Sequence, residues 1–193
     1  QMKGEPGVAV AYFGDGASSE GDFHEACNLA GVKKAPVIFF LQNNQWAIST
    51  PRDMQSNTAD LASRAIGYGI HGVSVDGNDL MAVHRVTAEA RARALAGDGP
   101  TLIEAHTFRM WAHTTADDPT RYVNADVKAR WEGRDPIDRM QRYLTQLGEW
   151  DESTATAWDA ELAEEVESAF TRANAVAAAG PEEGFEHAFE NRT

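Results

Sequence analysis

Two short motifs place residues with ligand chemistry directly after apolar runs of the sequence. Asp15 lies between two glycines after the run Val8–Phe13, and Asn43-Asn44 follows the run Val37–Gln42. A carboxylate is a hard oxygen ligand for a divalent cation, and glycines let the backbone turn tightly and approach a ligand. Each motif alone is also an ordinary turn, because Asp, Asn and Gly are common turn residues. Their chemistry therefore depends on whether the fold brings them together.

The elements between these motifs favour a parallel sheet. Four short apolar runs alternate with segments of helical spacing, a pattern typical of βαβ units. The predicted strands cover residues 8–13, 37–42, 72–75 and 101–108, and the predicted helices between them cover about 20–32, 59–68 and 80–96. The pattern predicts an α/β fold.

The ends of the predicted strands collect the candidate groups at one edge of the sheet, where open parallel sheets bind ligands. In chain order these ends are Gly14-Asp15-Gly16, Asn43-Asn44, Asp76-Gly77, and then Arg109 with His113. Because one βα unit separates Asp15 from Asn44, we expect them to lie side by side and reach the same cation. A Mg²⁺ ion takes a few protein oxygens, phosphate oxygens and water, and the Trp46 backbone carbonyl is a third protein oxygen nearby.

The sequence around these motifs resembles that of a known family. A Gly-Asp-Gly followed one βα unit later by Asn-Asn is similar to the thiamine diphosphate signature. The segments that carry the resemblance are Tyr12–Asp22, Asn43–Pro51, Val75–Asp79 and His113–Tyr122. They resemble the alpha subunit of the decarboxylating component of pyruvate and branched-chain 2-oxoacid dehydrogenases, over the C-terminal half of that subunit. The resemblance implies the three-layer, doubly wound parallel sheet of the thiamine diphosphate-binding fold, followed by C-terminal helices.

The resemblance also implies thiamine diphosphate and Mg²⁺ as cofactors, together with their ligands. The implied metal ligands are Asp15, the Asn44 side chain and the Trp46 carbonyl. The implied diphosphate contacts are the backbone N–H groups of Gly16 and Ala17, with Glu20 in the same matching segment. Arg109 and His113 are implied at the diphosphate and at the reactive thiazolium end, with Asp117 ordering their loop.

The activity implied is decarboxylation of a 2-oxoacid and transfer of the acyl group to a lipoyl-bearing acyltransferase. The implied partner is a beta subunit in an α2β2 heterotetramer, so the isolated chain is expected to be inactive. Gln42 stands where branched-chain enzymes can carry an arginine, which favours pyruvate over branched-chain 2-oxoacids or acetoin. Ala112 stands where many relatives have a second histidine, so His113 alone can supply the imidazole.

The chain is expected to comprise two parts. Residues 1–125 form the cofactor-binding α/β domain with a mobile, polar loop at about 109–125, and residues 126–193 form helices that pack on that domain or on a partner subunit. Apolar residues recur at helical spacing in the long last helix, predicted over about 152–178. The apolar run at Val8 lies so near the start that an earlier portion is expected to belong to the same fold.

Composition narrows the classes of partner. The net charge of −13 disfavours a nucleic-acid backbone or an anionic membrane as a partner. The single cysteine, Cys27, rules out an internal disulfide and favours a reducing cytoplasm. An anionic ligand therefore needs a metal ion, helix N-termini or individual arginines.

Two other classes of protein stay open at this point. A dinucleotide-binding Rossmann domain shares the architecture, but its fingerprint needs Gly or Ala at Ser19 and an acidic end to the second strand. A non-catalytic assembly module is the other, because no pyrimidine-binding domain is visible in the sequence. His113 is alternatively an exposed loop histidine, and Arg109 a surface charge.

Overall fold

The computed structural model describes residues 7–186 and contains one four-stranded parallel sheet. The strands are β1 (Ala9–Gly14), β2 (Val37–Asn43), β3 (Trp46–Ala47), β4 (Thr50–Pro51), β5 (His71–Asp76) and β6 (Thr101–His106). The order across the sheet is β1-β2-β6-β5, and all its pairs are parallel. The short strands β3 and β4 pair antiparallel as a separate hairpin.

The helices alternate with the strands and then continue alone. They are α1 (Gly21–Lys33), α2 (Arg52–Gln55), α3 (Leu80–Ala96), α4 (Ala125–Glu132), α5 (Pro136–Gln146), α6 (Glu152–Ala175) and α7 (Glu183–Glu186). Tighter 3₁₀ turns occupy Gly16–Ser19, Ala62–Tyr68 and Pro119–Arg121. Within the described residues, no helix is both long enough and apolar enough to cross a membrane.

Helices cover both faces of the sheet, which confirms the three-layer α/β architecture. On one face, Phe23 and Cys27 of α1 pack against Leu41 of β2. On the other face, Val86 of α3 packs against Ile103 of β6. Full burial of a Phe, Leu, Val or Ile side chain of this kind stabilises the fold by about 1.5–3 kcal/mol. Burial also raises the pKa of the Cys27 thiol to about 12, so this cysteine is an uncharged core residue.

The predicted elements recur in the structure with differences at their ends. Helix α3 has the predicted bounds because Asp79 caps its first turn by accepting the Ala82 N–H at 3.0 Å, and Gly97 ends it with a left-handed φ of 84°. The segment predicted as a helix over residues 59–68 forms a 3₁₀ helix instead. The last strand ends at His106, two residues earlier than predicted. The β3–β4 hairpin was not predicted, because two-residue strands have no detectable periodicity.

The chain divides by its contacts into two compact units, and the division falls after Arg142. In the first unit, Trp131 of α4 stacks on Phe108 with ring centroids 5.6 Å apart, and Arg139 of α5 pairs with Asp76 at 2.9 Å. These contacts fix the start of the C-terminal helices against the end of β5.

The second unit contains α6, whose N-terminus is capped by Asp151 through a 2.7 Å bond from the Thr154 N–H. The apolar positions at helical spacing along this helix are solvent-exposed in the described chain. They are Trp158, Leu162, Val166 and Phe170.

Candidate functional site

Asp15 directly follows β1 and carries a buried carboxylate with one oxygen unpaired. Its side chain is 1% exposed. Oδ2 accepts a hydrogen bond from Nε2 of Gln55 at 2.7 Å, whereas the buried Oδ1 has no hydrogen-bond partner. A buried polar atom without a partner is costly, and for an ionised carboxylate the cost is larger still. A cation at Oδ1 would remove that cost, so this carboxylate fits a metal ligand.

The turn after Asp15 is held rigidly against the hairpin. A Cβ on Gly16 would lie 2.7 Å from the Cβ of Ala47, so only glycine fits at this close approach. The buried Ser18 donates its hydroxyl hydrogen to the Asp15 carbonyl at 2.6 Å and accepts a bond from Arg64 at 2.9 Å. Ala17, next to Gly16, is exposed to solvent. The backbone of this turn, for which the family resemblance implies contact with a diphosphate, is therefore both fixed and accessible. Glu20 is exposed at the end of the same turn.

Asn44 begins the turn that leaves β2. Its side-chain oxygen accepts the backbone N–H of Trp46 at 3.0 Å, and its own N–H donates to the Gln42 carbonyl at 2.9 Å. Gln45, between them, has a left-handed φ of 75°, which is uncommon for a residue other than glycine. An amide oxygen has two lone pairs, so the Asn44 oxygen keeps acceptor capacity for a ligand.

Asp15 and Asn44 lie at the same edge of the sheet, on neighbouring strands. Strand β1 pairs with β2 in parallel, with Gly14 opposite Gln42, so both strands reach that edge together. Gln55 links the two regions, since its Nε2 donates to Asp15 and also to the Thr50 carbonyl of β4 at 3.1 Å. The predicted convergence of the two motifs is therefore present in the fold.

Arg109 is a partly buried residue and not a simple surface charge. Its side chain is 13% exposed, and Nη2 donates to the Ile48 carbonyl at 2.6 Å and to the Tyr122 hydroxyl at 2.7 Å. Nη1 lies 3.4 Å from the Trp46 carbonyl, a weak contact. The guanidinium therefore sits against the carbonyl that is the third candidate metal ligand, and a cation there would draw on the second lone pair of that oxygen.

His113 lies on the predicted loop and is exposed. Its backbone N–H donates to Oδ2 of Asp117 at 2.8 Å, and the Tyr122 hydroxyl donates to the same oxygen at 2.6 Å. These bonds, the Tyr122 bond foremost, hold the pKa of the Asp117 carboxyl below its ordinary value. The structure fixes the loop backbone beside His113 through Asp117, and the imidazole faces solvent.

Asp76, at the end of β5, organises the far side of this edge. Arg139 and Arg134 donate to its Oδ2 at 2.9 and 3.1 Å, and the Asn78 N–H donates to Oδ1 at 3.0 Å. Burial alone would raise the pKa of Asp76, but these hydrogen bonds outweigh it and the net direction is downward. Both oxygens of this carboxylate therefore have hydrogen-bond partners within the fold, in contrast to Asp15.

Two functional candidates were missed from the sequence. Gln55 stands on a four-residue helix with no motif to mark it. Glu104, by contrast, had a signal, since a charged residue inside the apolar strand β6 is unusual and its side chain is 0% exposed. Glu104 accepts from the Asn43 side-chain amide at 2.7 Å, which joins it to the turn that carries Asn44.

A cavity of about 570 Å³ lies beside the hairpin. Its walls include Trp46, Arg52, Phe108 and Trp131, and neither Asp15 nor His113 lines it. Among the residues that the structure describes, no three His, Cys, Asp or Glu side chains group as a metal site. Any metal here must therefore use amide, carbonyl or phosphate oxygens alongside Asp15.

The fold and the site define an α/β domain with a candidate cation site at the carboxyl edge of its sheet. A family model described as "Dehydrogenase E1 component" matches residues 1–182. The chain belongs to this dehydrogenase E1 component family. The match favours the predicted family over a dinucleotide-binding Rossmann domain.

Two relatives illustrate the similarity. The chain is 55% identical over 150 residues to the 3-methyl-2-oxobutanoate dehydrogenase subunit alpha of Mycobacterium tuberculosis (strain ATCC 25618 / H37Rv), an alignment that covers 78% of this chain and 41% of that protein. It is 52% identical over 153 residues to the pyruvate dehydrogenase E1 component subunit alpha of Staphylococcus aureus (strain MW2), and that alignment covers 79% of this chain and 41% of that protein. The chain thus spans less than half the length of these relatives, and the two identities are too similar to select a substrate.

Proposed function

We propose that the chain supplies the magnesium- and diphosphate-binding side of a thiamine diphosphate-dependent 2-oxoacid dehydrogenase. The whole enzyme would decarboxylate pyruvate or a related 2-oxoacid and pass the acyl group to a lipoyl-bearing acyltransferase. Family membership supports the class of enzyme. The single observation that carries the cofactor assignment is the buried, unpaired Oδ1 of Asp15 at the edge that Asn44 shares.

The proposed metal ligands are Asp15, the Asn44 side-chain oxygen and the Trp46 carbonyl. All three are hard oxygen donors, which is the set that Mg²⁺ prefers. Phosphate oxygens and water would complete an octahedral shell. With a net charge of −13, the chain would repel a diphosphate without such a cation.

The proposed diphosphate contacts are the backbone N–H groups of Gly16 and Ala17, with Glu20 at the end of the same segment. Gly16 suits this role because the absence of a Cβ permits the close approach to Ala47. Arg109 adds a positive charge beside the hairpin and would orient the diphosphate end of the cofactor.

Bound thiamine diphosphate would supply the carbanion chemistry that detaches carbon dioxide from a 2-oxoacid. The chain would contribute His113, whose imidazole can hold or release a proton near neutral pH. Asp117 would place His113 by holding its backbone N–H at 2.8 Å. We propose that the loop at residues 109–125 closes over the bound cofactor.

The proposed partners are a beta subunit, in an α2β2 heterotetramer, and the lipoyl-bearing acyltransferase. The cofactor would lie between residues 1–125 and the beta subunit, while residues 126–193 would pack on the α/β domain or on a partner. The exposed apolar positions of α6, including Trp158 and Phe170, support burial in an assembly. We place the enzyme in the cytoplasm, in keeping with the single, buried and free Cys27.

The substrate is proposed to be pyruvate on the basis of the neutral Gln42, with 3-methyl-2-oxobutanoate or acetoin as the alternative. Gln42 is exposed near the end of β2, one residue before the turn. A steady-state comparison of pyruvate and 3-methyl-2-oxobutanoate with the full heteromer would decide between them through kcat/KM.

The experiment that tests the proposal compares the chain alone with the assembled heteromer. Carbon dioxide release from a carboxyl-labelled 2-oxoacid is expected from the heteromer with thiamine diphosphate and Mg²⁺, and not from the chain alone. Titration of the heteromer with a nicotinamide dinucleotide is the matched control, for which no binding at this site is expected. Decarboxylation by the chain alone would overturn the need for the beta subunit.

A further inference from the structure

Glu104 is a buried carboxylate whose two oxygens are committed to different parts of the fold. Oε2 accepts the backbone N–H groups of Leu61 and Ala62 at 2.7 and 2.9 Å, which secures the start of a 3₁₀ helix. Oε1 accepts Nδ2 of Asn43 at 2.7 Å. His106 Nε2 is 3.9 Å from Oε1, too far for a hydrogen bond, and instead bonds the Ser74 hydroxyl at 2.6 Å.

This carboxylate determines which way the Asn43 side chain points. An ionised carboxylate only accepts hydrogen bonds, so it must face the NH₂ end of the Asn43 amide. The oxygen end of that amide is thereby turned toward Gln45. Asn43 Oδ1 accepts the Gln45 backbone N–H at 3.2 Å and its side-chain Nε2 at 3.1 Å.

Gln45 is the residue of this turn that needs support. Its φ of 75° is in the left-handed region, which residues other than glycine adopt at a cost in free energy. The two hydrogen bonds that Gln45 donates to Asn43 stabilise that conformation. The turn in turn brings the Trp46 N–H onto the Asn44 oxygen at 3.0 Å and fixes the direction of the Trp46 carbonyl.

We propose that Glu104 is a positioning residue for the cation site. Through Asn43 it holds the Gln45 turn, and the turn aims the Asn44 oxygen and the Trp46 carbonyl at the ion that Asp15 binds. The inference rests on the proposed function, because it takes these oxygens as metal ligands. Outer partners that orient metal ligands typically change metal affinity 10- to 100-fold when they are removed.

The first variant is Glu104→Gln, which keeps shape but reverses one hydrogen-bonding end. The glutamine oxygen can still accept from Leu61 and Ala62, so its NH₂ group then faces the NH₂ group of Asn43. Either the hydrogen bond between residues 43 and 104 is lost, or the Asn43 amide flips and its NH₂ group then faces the Gln45 N–H, which loses its acceptor. Affinity for Mg²⁺, measured calorimetrically on the heteromer with thiamine diphosphate present, is expected to fall about 10- to 100-fold.

The second variant, Asn43→Asp with Glu104→Gln, exchanges the two groups and restores the donor and acceptor pattern. An aspartate at position 43 accepts from the new glutamine and from Gln45, so Mg²⁺ affinity is expected to return close to that of the wild type. Asn43→Asp alone places two carboxylates together and is expected to be the weakest binder. Thr101→Val is the control, because Thr101 is buried at the opposite end of β6 and its hydroxyl has no partner.

A second readout does not depend on the cofactor. Amide hydrogen exchange of Gln45 and Trp46 is expected to speed up in Glu104→Gln, to recover in the double variant and to stay unchanged in Thr101→Val. Unchanged affinity and exchange in Glu104→Gln, or failure of the double variant to recover either, would overturn the proposal. A wild-type heteromer that binds no Mg²⁺ would refute the proposed function, and the exchange rates alone would then decide whether Glu104 holds the turn.

Discussion

Gln55 donates its side-chain amide to the buried carboxylate of Asp15 at 2.7 Å. This bond satisfies one carboxylate oxygen and leaves the other without a hydrogen-bond partner. Oδ2 of Asp15 therefore has a structural role, whereas Oδ1 is available to a cation.

Asp15→Asn is expected to abolish Mg²⁺-dependent binding of thiamine diphosphate to the heteromer, with a loss greater than the roughly 100-fold that an outer partner can cost. The metal-free chain is expected to become more stable, by about 1 kcal/mol or more, because a buried and half-unpaired charge is removed while the Gln55 bond can persist. Urea unfolding without metal and calorimetry with metal measure the two effects. The exposed Glu25→Gln, also losing one charge, is the control; a destabilised Asp15→Asn chain would contradict the account.

Tyr122→Phe is expected to loosen the loop around Arg109 and His113 without unfolding the domain. The hydroxyl donates to Asp117 and accepts from Arg109, so its loss removes two bonds at once. The pKa of the Asp117 carboxyl should rise toward its ordinary value, which a carboxyl NMR titration measures. Global stability should change little, because these bonds lie on a partly exposed loop. An unchanged Asp117 titration would show that another group sets it.

The loop at residues 109–125 is expected to become more ordered when the cofactor binds. In the structure Asp117 and Arg109 each make a hydrogen bond to the loop backbone, and thiamine diphosphate with Mg²⁺ would engage or displace these side chains. Hydrogen exchange across the loop of the complete heteromer should slow when both are added, and should not slow with Mg²⁺ alone. Equal exchange with and without the cofactor would refute the idea of closure.

Asp76 is expected to make the free energy of unfolding depend on pH in the acid range. Its pKa is lower in the folded protein than its ordinary value of 3.8, so its contribution is complete above that value and is lost as pH falls through the lower folded-state pKa. Unfolding by urea at a series of pH values should show Asp76→Asn less stable than the wild type at neutral pH, with the gap closing under acid conditions. A gap that stays constant with pH would contradict this linkage.

Much of the fold could be predicted because its strands form short apolar runs, and the two central strands, β2 and β6, are buried on both faces. The predicted bounds of helix α3 match those of the structure, in which Asp79 caps its first turn and Gly97 ends it. The segment at Ala62–Tyr68 forms a 3₁₀ helix because tertiary contacts, including the hydrogen bonds that Leu61 and Ala62 donate to Glu104, override its local helical pattern.

Only those residues of the site that belong to recognisable sequence motifs could be predicted. Asp15 and Asn44 were found because strand ends in a parallel sheet converge, and this convergence depends on topology alone. Gln55 could not be found, because its bond to Asp15 spans a hairpin without sequence periodicity. The partly buried environment of Arg109 depends on carbonyl groups of that same hairpin, which have no sequence signature.

The most direct test of the account is the position of the metal ion in a crystal structure of the heteromer with thiamine diphosphate and Mn²⁺ in place of Mg²⁺. The account predicts one anomalous-scattering peak within coordination distance of the free Asp15 oxygen, the Asn44 side-chain oxygen and the Trp46 carbonyl. A peak that lies away from Asp15 and Asn44, or one that touches only one of them, would contradict it.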